Sequence, residues 1–339
     1  MAYISFKPQD HFNTKLYTGT GSSNAQTGVG FQPDWVWIKG RSDAPDHFVF
    51  DSLRGVTNSI RPNTLSATYT EAQLLTAFGA DGFTVGTNTN VNASSQTFAS
   101  WNWKMGTTSG ISAGSQTITP SSYSINATAG MGIYKWSRTG ASTTDYFSHG
   151  LGVTPQLAIQ KRTDGSQDWY VNTTVIDGTN DNLHLNKTDA KEDDSTTVPT
   201  STNYYPKSPE TGDYITYLFA PINGFSSFNT YTGNQNADGP FIYTGFKPAW
   251  IMIKNTSDGD DGWIIENNKA SAYNPTYNYL VASSSAAEGG TGFPIDFLSN
   301  GFKIRGNDIS YNQSGYVYAY MAFAEEPLVA SNGDPATAR

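Results

Sequence analysis

The chain has 339 residues, a formal net charge of −9, 14 % charged and 14 % aromatic residues, and no cysteine. That length calls for two or three cores at roughly 100–150 residues per domain. The missing cysteine excludes disulfides and thiolate metal sites, and an acidic balance without a dense Lys/Arg cluster argues against nucleic-acid binding, which needs a basic patch.

Only thirteen leucines occur, and Gly, Ser, Thr and Asn take their place. That mix suits strands and tight turns. In chain order, Tyr17-Thr-Gly leads to GVGFQPDWVWIK, from Gly28 to Lys39. Its proline marks the turn into a strand. Within that strand Trp35, Trp37 and Lys39 face one way and Val36 and Ile38 the other. TEAQLLTAF, from Thr70 to Phe78, predicts one short helix, capped by Thr70, striped by Leu74, Leu75 and Phe78, and stopped by Gly79. GADGFTVG (Gly79 to Gly86) and the aromatic strand TFASWNWK (Thr97 to Lys104) complete the first block.

The middle block repeats the motif weakly as GLGVTPQLAIQKR, from Gly150 to Arg162, with Val153 for the Phe and Leu157 for the Trp. A long polar loop is expected over Thr188 to Asp213, before the aromatic strand YITYLFAP. The last block returns to the first: Tyr231-Thr-Gly-Asn, YTGFKPAWIMIK (Tyr243 to Lys254), SNGFKIRG (Ser299 to Gly306) and YVYAYMAF (Tyr316 to Phe323). Three elements in one order, repeated, predict an all-β chain of three tandem antiparallel β-sandwich, jelly-roll-like modules. Their bounds are 1–115, 116–225 (divergent) and 226–339, the last with a C-terminal tail. The repeat-motif residues Gly30, Phe31, Pro33 and Trp35, matched by Gly245, Phe246, Pro248 and Trp250, are read as structural.

Candidate chemistry is sparse. His11, His47, His149 and His184 show no metal-ligand spacing, so no metal or cofactor is expected. Asp258-Gly-Asp-Asp-Gly262 resembles an acidic calcium loop only in part, and a solvated turn is expected there. Asp34 is the best placed acid for glycoside hydrolysis, but the third block has Ala249 in its place. Trp101, Trp103, Trp136, Trp169 and Trp263 are the candidates for stacking on a sugar ring, against core filling as the plainer reading. Lys39 and Lys254, ending the motif strands, are read as edge gatekeepers against stray strand pairing, with an inter-subunit ion pair as the alternative.

The sequence Gly-Phe-X-Pro-X-Trp-Val-Trp-Ile-Lys, then Asp-Gly-Phe-Thr-Val-Gly, then Trp-Asn-Trp-Lys resembles a repeat domain of unknown function found in virion proteins of marine tailed phages, such as cyanophages and pelagiphages. The opening MAYISFKPQDHFNTKLYTG and the closing segment Phe323 to Arg339 are similar to that group too. The resemblance implies a non-enzymatic structural protein on the virion surface, made in the host cytoplasm. It implies a tail-fibre or appendage component touching host-surface glycans, with a head decoration protein as the alternative; a polysaccharide depolymerase is a separate, less favoured reading that the resemblance does not imply. Its partners would be other virion proteins and further copies of itself, as a trimer driven by uncovered aromatic strand faces. Nucleic acid and membrane are not expected partners, since no apolar run approaches the ~20 residues of a span.

Overall fold

A computed structural model describes residues 6–111, 116–140, 144–207 and 210–327. Most of the closing segment that resembles the phage proteins, the first five residues and the boundary at residue 115 lie outside the described residues. The chain is all-β, in antiparallel sheets.

Each module builds its main sheet by one rule. An opening strand lies beside the closing aromatic strand, which lies beside the motif strand. In module one these are Phe12–Thr18, Thr97–Trp103 and Trp35–Gly40, followed by Phe48–Asp51. In module three they are Ser226–Thr232, Val317–Pro327 and Phe246–Asn255, followed by Ile264–Asn267 and Tyr279–Val281. Module two uses Met131–Arg138, Gly212–Phe219 and Leu157–Arg162, and continues to a seven-stranded sheet. The registers match: Trp35 pairs with Trp103, Leu157 with Phe219 and Trp250 with Phe323. In module three Pro248 sits inside the strand, not before it, at a register shift on either side. Such an irregularity accommodates a residue with no N–H.

A second, smaller sheet covers the outer face of each main sheet. Modules one and three use three strands, with Gly82–Val85 and Gly301–Ile304 in the centre. A Cβ at Gly82 or Gly301 would fall 2.0 Å from the carbonyl of Gln26 or Ile242, so only glycine allows that pairing. Module two keeps two strands, Phe147–Ser148 and Asn203–Tyr204, the second inside the expected polar loop.

The expected helix at Thr70 to Phe78 is absent. Tyr69–Thr70 and Leu75–Gly79 are strands, and the latter forms a hairpin with Gly82–Val85. A bulge between Leu75 and Ala77 breaks the period-two alternation, and Leu74 and Leu75 are both fully buried. That bulge imitates helical spacing, and nine residues are too few to hold a helix unaided. The α-helices are single turns, Thr89–Asn92 and Ile309–Asn312, capped by Asn88 and Asp308.

The alternating faces divide the core. Outward residues such as Val36, Ile38 and Phe83 fill module one's own sandwich, and Ile251, Ile253 and Phe302 fill module three's. Tyr318 and Tyr320 are buried there. Inward residues of all three main sheets meet in one common core that includes Trp35, Trp103, Ile159, Tyr217, Trp250 and Phe323. The modules are therefore packed around a shared centre and not strung out as separate domains.

Candidate functional site

Strand parity decides where the motif lysines go. Lys39, Lys161 and Lys254 lie two residues past Trp37, Ile159 and Met252, so they point inward like those core residues. All three are fully buried. None is an edge gatekeeper or half of an inter-subunit ion pair, because the inward face of a central strand offers no edge.

Each lysine crosses to the next module. Lys39 Nζ donates to Ser285 O at 3.0 Å and to Gly40 O at 2.9 Å. Lys161 donates to Leu65 O at 2.9 Å and Gln167 O at 2.7 Å. Lys254 donates to Thr188 O at 2.7 Å and Asn255 O at 2.9 Å. Module one thus grips module three, three grips two, and two grips one. A backbone bond repeats beside each grip. Glu288, Thr68 and Lys191, each three residues past the gripped carbonyl, donate to the carbonyls of Arg41, Thr163 and Thr256, each two residues past the lysine. Three seams with one geometry, taken in cyclic order, close the chain into a ring with approximate threefold symmetry. Burial pulls each ammonium down to about 8, against partial support from nearby acids such as Asp43, Asp168 and Asp189.

Other polar residues serve the same seams. His47 accepts from Trp37 Nε1 at 2.9 Å and meets Val281 O of module three at 3.1 Å; burial pushes it down to about 3, so it stays neutral. Arg41 donates to Glu288 through Nε and Nη2, at 2.9 and 2.7 Å. Asp34 accepts from Ser52, from Met105 N and from Ser124 of module two, which explains an acid needed in one module only. Asp51 takes Arg54 at 2.6 Å and Tyr217 of module two at 2.8 Å.

The sugar-stacking candidates are corrected. Trp101, Trp103, Trp136, Trp169 and Trp263 are each 0 % exposed, so no ring face is open to a glycan. Trp101, Trp103, Trp169 and Trp263 fill the shared core, and Trp136 fills module two's own. Trp169 also donates to Arg61 O across the seam between modules one and two, at 3.0 Å. Of the repeat-motif residues, Phe31, Trp35, Phe246 and Trp250 are buried, and Gly30 and Gly245 hold φ of 92° and 81°, which a side chain would strain. Pro33 and Pro248 are buried beside them.

Among the described residues one acidic group, Asp177, Asp181 and Asp193, is close enough to hold a metal. Lys191 already fills it, donating to all three at 2.8, 2.7 and 2.8 Å. Its ammonium supplies the charge that a cation would bring. The Asp258 turn is exposed as expected, and Asp261 accepts from Ser310 Oγ.

Sequence reading missed the seams and a buried pair of asparagines. Asn92 bonds Gly86 O, Ser22 O and Thr20 N, and Asn312 bonds Gly306 O, Asn236 O and Asn234 N in the same pattern. The signal available was the shared position six residues past Gly86 and Gly306.

Among the described residues no helix is long and apolar enough to cross a membrane. No curated protein and no solved structure matches the chain. One family model, described as a domain of unknown function (DUF7483), matches residues 7–327. That span takes in all three modules of the ring, and the chain belongs to this family.

Proposed function

We propose that the chain is a structural protein of a tailed-phage virion surface, whose task is assembly and not turnover of a substrate. The observation that supports this reading is the closed ring. Its inward lysines, His47, Asp34 and Asp51 are all committed to joining one module to the next. A body that spends its buried polar groups on its own seams suits a part that must stay rigid. The resemblance of the motif residues to virion repeats supplies the setting.

Within that class, burial of the tryptophans removes the residues on which contact with a host glycan was argued. A single chain with three similar sides matches a threefold lattice point, which favours the head-decoration role over the tail appendage. The test is to locate the protein in purified particles by mass spectrometry and a particle map. Density at capsid lattice points supports decoration, and density on the tail supports the appendage. Absence from washed particles refutes both. Release of reducing sugar from host envelope by the purified protein would refute the structural reading altogether.

A further inference from the structure

Module three has a cavity of about 150 Å³ on the outer side of its last strand, Tyr279–Val281. Tyr279, Val281, Phe293 and Asp261 line it, and the exposed Ala286 and Ala287 border its opening. Tyr279 and Phe293 meet edge to face at 4.4 Å, and Tyr311 meets Phe293 the same way at 5.1 Å.

The cations near the cavity are already engaged: Lys39 by the carbonyls of Ser285 and Gly40, and Arg41 by Glu288. Asp258, Asp261 and Asp308 all act on Asp260, and the cation acting on it is Lys254, whose ammonium is already held by two carbonyls. Behind the cavity wall stands Glu266, paired in register with Tyr279 and therefore on the same face of the sheet. Glu266 is fully buried, and neither of its carboxyl oxygens has a hydrogen-bond partner. The buried Tyr311 hydroxyl has none either. Module one places Phe50 at the position equivalent to Glu266, opposite Val36 as Glu266 is opposite Ile251. A carboxyl thus stands where packing alone would take a ring, and a buried polar group without a partner calls for a cause.

We propose that this cavity binds a small organic ammonium ion, with its charge against the Tyr279 and Phe293 rings and with Asp261 at the mouth and Glu266 behind. Aromatic faces attract such a cation, more so when water is displaced. One lining carboxylate offers too few oxygens for a bare calcium or magnesium ion, and the acids repel anions. The inference goes beyond the virion reading and stands without it.

The test is calorimetric titration of the intact protein at pH 7 with tetramethylammonium chloride, against sodium chloride at equal ionic strength. Saturable binding of tetramethylammonium alone is expected. Affinity should fall at least about tenfold in Tyr279→Leu and in Glu266→Gln, with circular dichroism confirming the fold. Should Tyr279→Leu not fold, Phe293→Leu replaces it. Because burial raises the Glu266 carboxyl and a bound cation favours its charged form, affinity should increase with pH. No saturable heat beyond that of sodium, or unchanged affinity in both variants, would overturn the proposal.

Discussion

The seam lysines make stability depend on pH in an unusual direction. Each ammonium titrates at about 8 in the folded chain, against an ordinary value of 10.5, because burial strips its water. Between those values the unfolded chain holds a proton that the folded chain has released. Stability therefore rises with pH across that window, and below it both states are protonated and the full penalty applies. At about 1.4 kcal/mol per unit, one lysine accounts for roughly 3 kcal/mol over the window. Tyr17, Tyr134, Tyr217 and Tyr231 oppose this above 10, since burial raises them and only the unfolded phenols ionise. The expected profile climbs from pH 8 and turns over near pH 10. Lys161→Met isolates one contribution. It removes the charge but strands the carbonyls of Leu65 and Gln167, at about 1–3 kcal/mol each, so the two effects largely cancel at pH 7. The variant, about level at pH 7, should fall behind the natural chain as pH rises from 8 to 10. Urea unfolding followed by tryptophan fluorescence at half-unit pH steps reads this difference. Parallel curves for the two proteins would refute the claim that the lysine is desolvated.

Trp103→Ala should cost about 3–5 kcal/mol and lower a single calorimetric transition, since its ring touches Phe12, Trp35, Trp250 and Phe323 from two modules; three separable transitions would contradict a shared core. A double-mutant cycle on Arg41 and Glu288 should return a coupling of about 1–2 kcal/mol, because the pair is bidentate and only 17 % and 9 % exposed. A coupling near zero would mean that this seam closes without them. Glu266→Gln should flatten stability above pH 4.5: burial raises the folded carboxyl, so its contribution is present at low pH and is lost as pH rises through the folded value. A variant whose pH profile matches the natural chain in chemical denaturation would place the carboxyl in water. Residues 226–327 expressed alone should self-associate or precipitate, since Trp250, Met252, Trp263 and Phe323 lose their cover; a folded monomer in analytical ultracentrifugation would show that the inner face needs none.

The strands were legible because aromatic and β-branched residues alternate, and the repeated motif fixed their order. Even the inward direction of Lys39 followed from its parity with Trp35 and Trp37. Parity does not say what lies opposite, so an inward lysine reads in sequence as an edge device. The partner is a carbonyl 246 positions away, and a carbonyl carries no side-chain signature. The hairpin at Leu75 was hidden by its bulge. Module two's small sheet was hidden because Asn203–Tyr204 lacks the Gly-Phe pair. The five tryptophans fail as glycan contacts because most of them are buried by residues of a neighbouring module, which the sequence of one module does not show.

The aromatic faces expected to drive a homotrimer are already covered inside one chain. Each inner sheet face finds its partners in the other two modules, as Phe12 does against Trp250 and Phe323. Any further association must then use the outer layers. Fusion into one chain also frees those layers to differ, since a homotrimer would carry the same residue on every side. The position opposite the first outward residue of the motif strand is Phe50, Asn172 and Glu266 in turn. The inner face at the neighbouring position stays apolar throughout, as Val49, Val171 and Ile265. Packing around the common centre restricts the inner residue, while a module's private layer tolerates a ring, an amide or an acid. Differences in what the three sides bind should therefore be sought in the outer layers, beginning with the unpartnered carboxyl of module three.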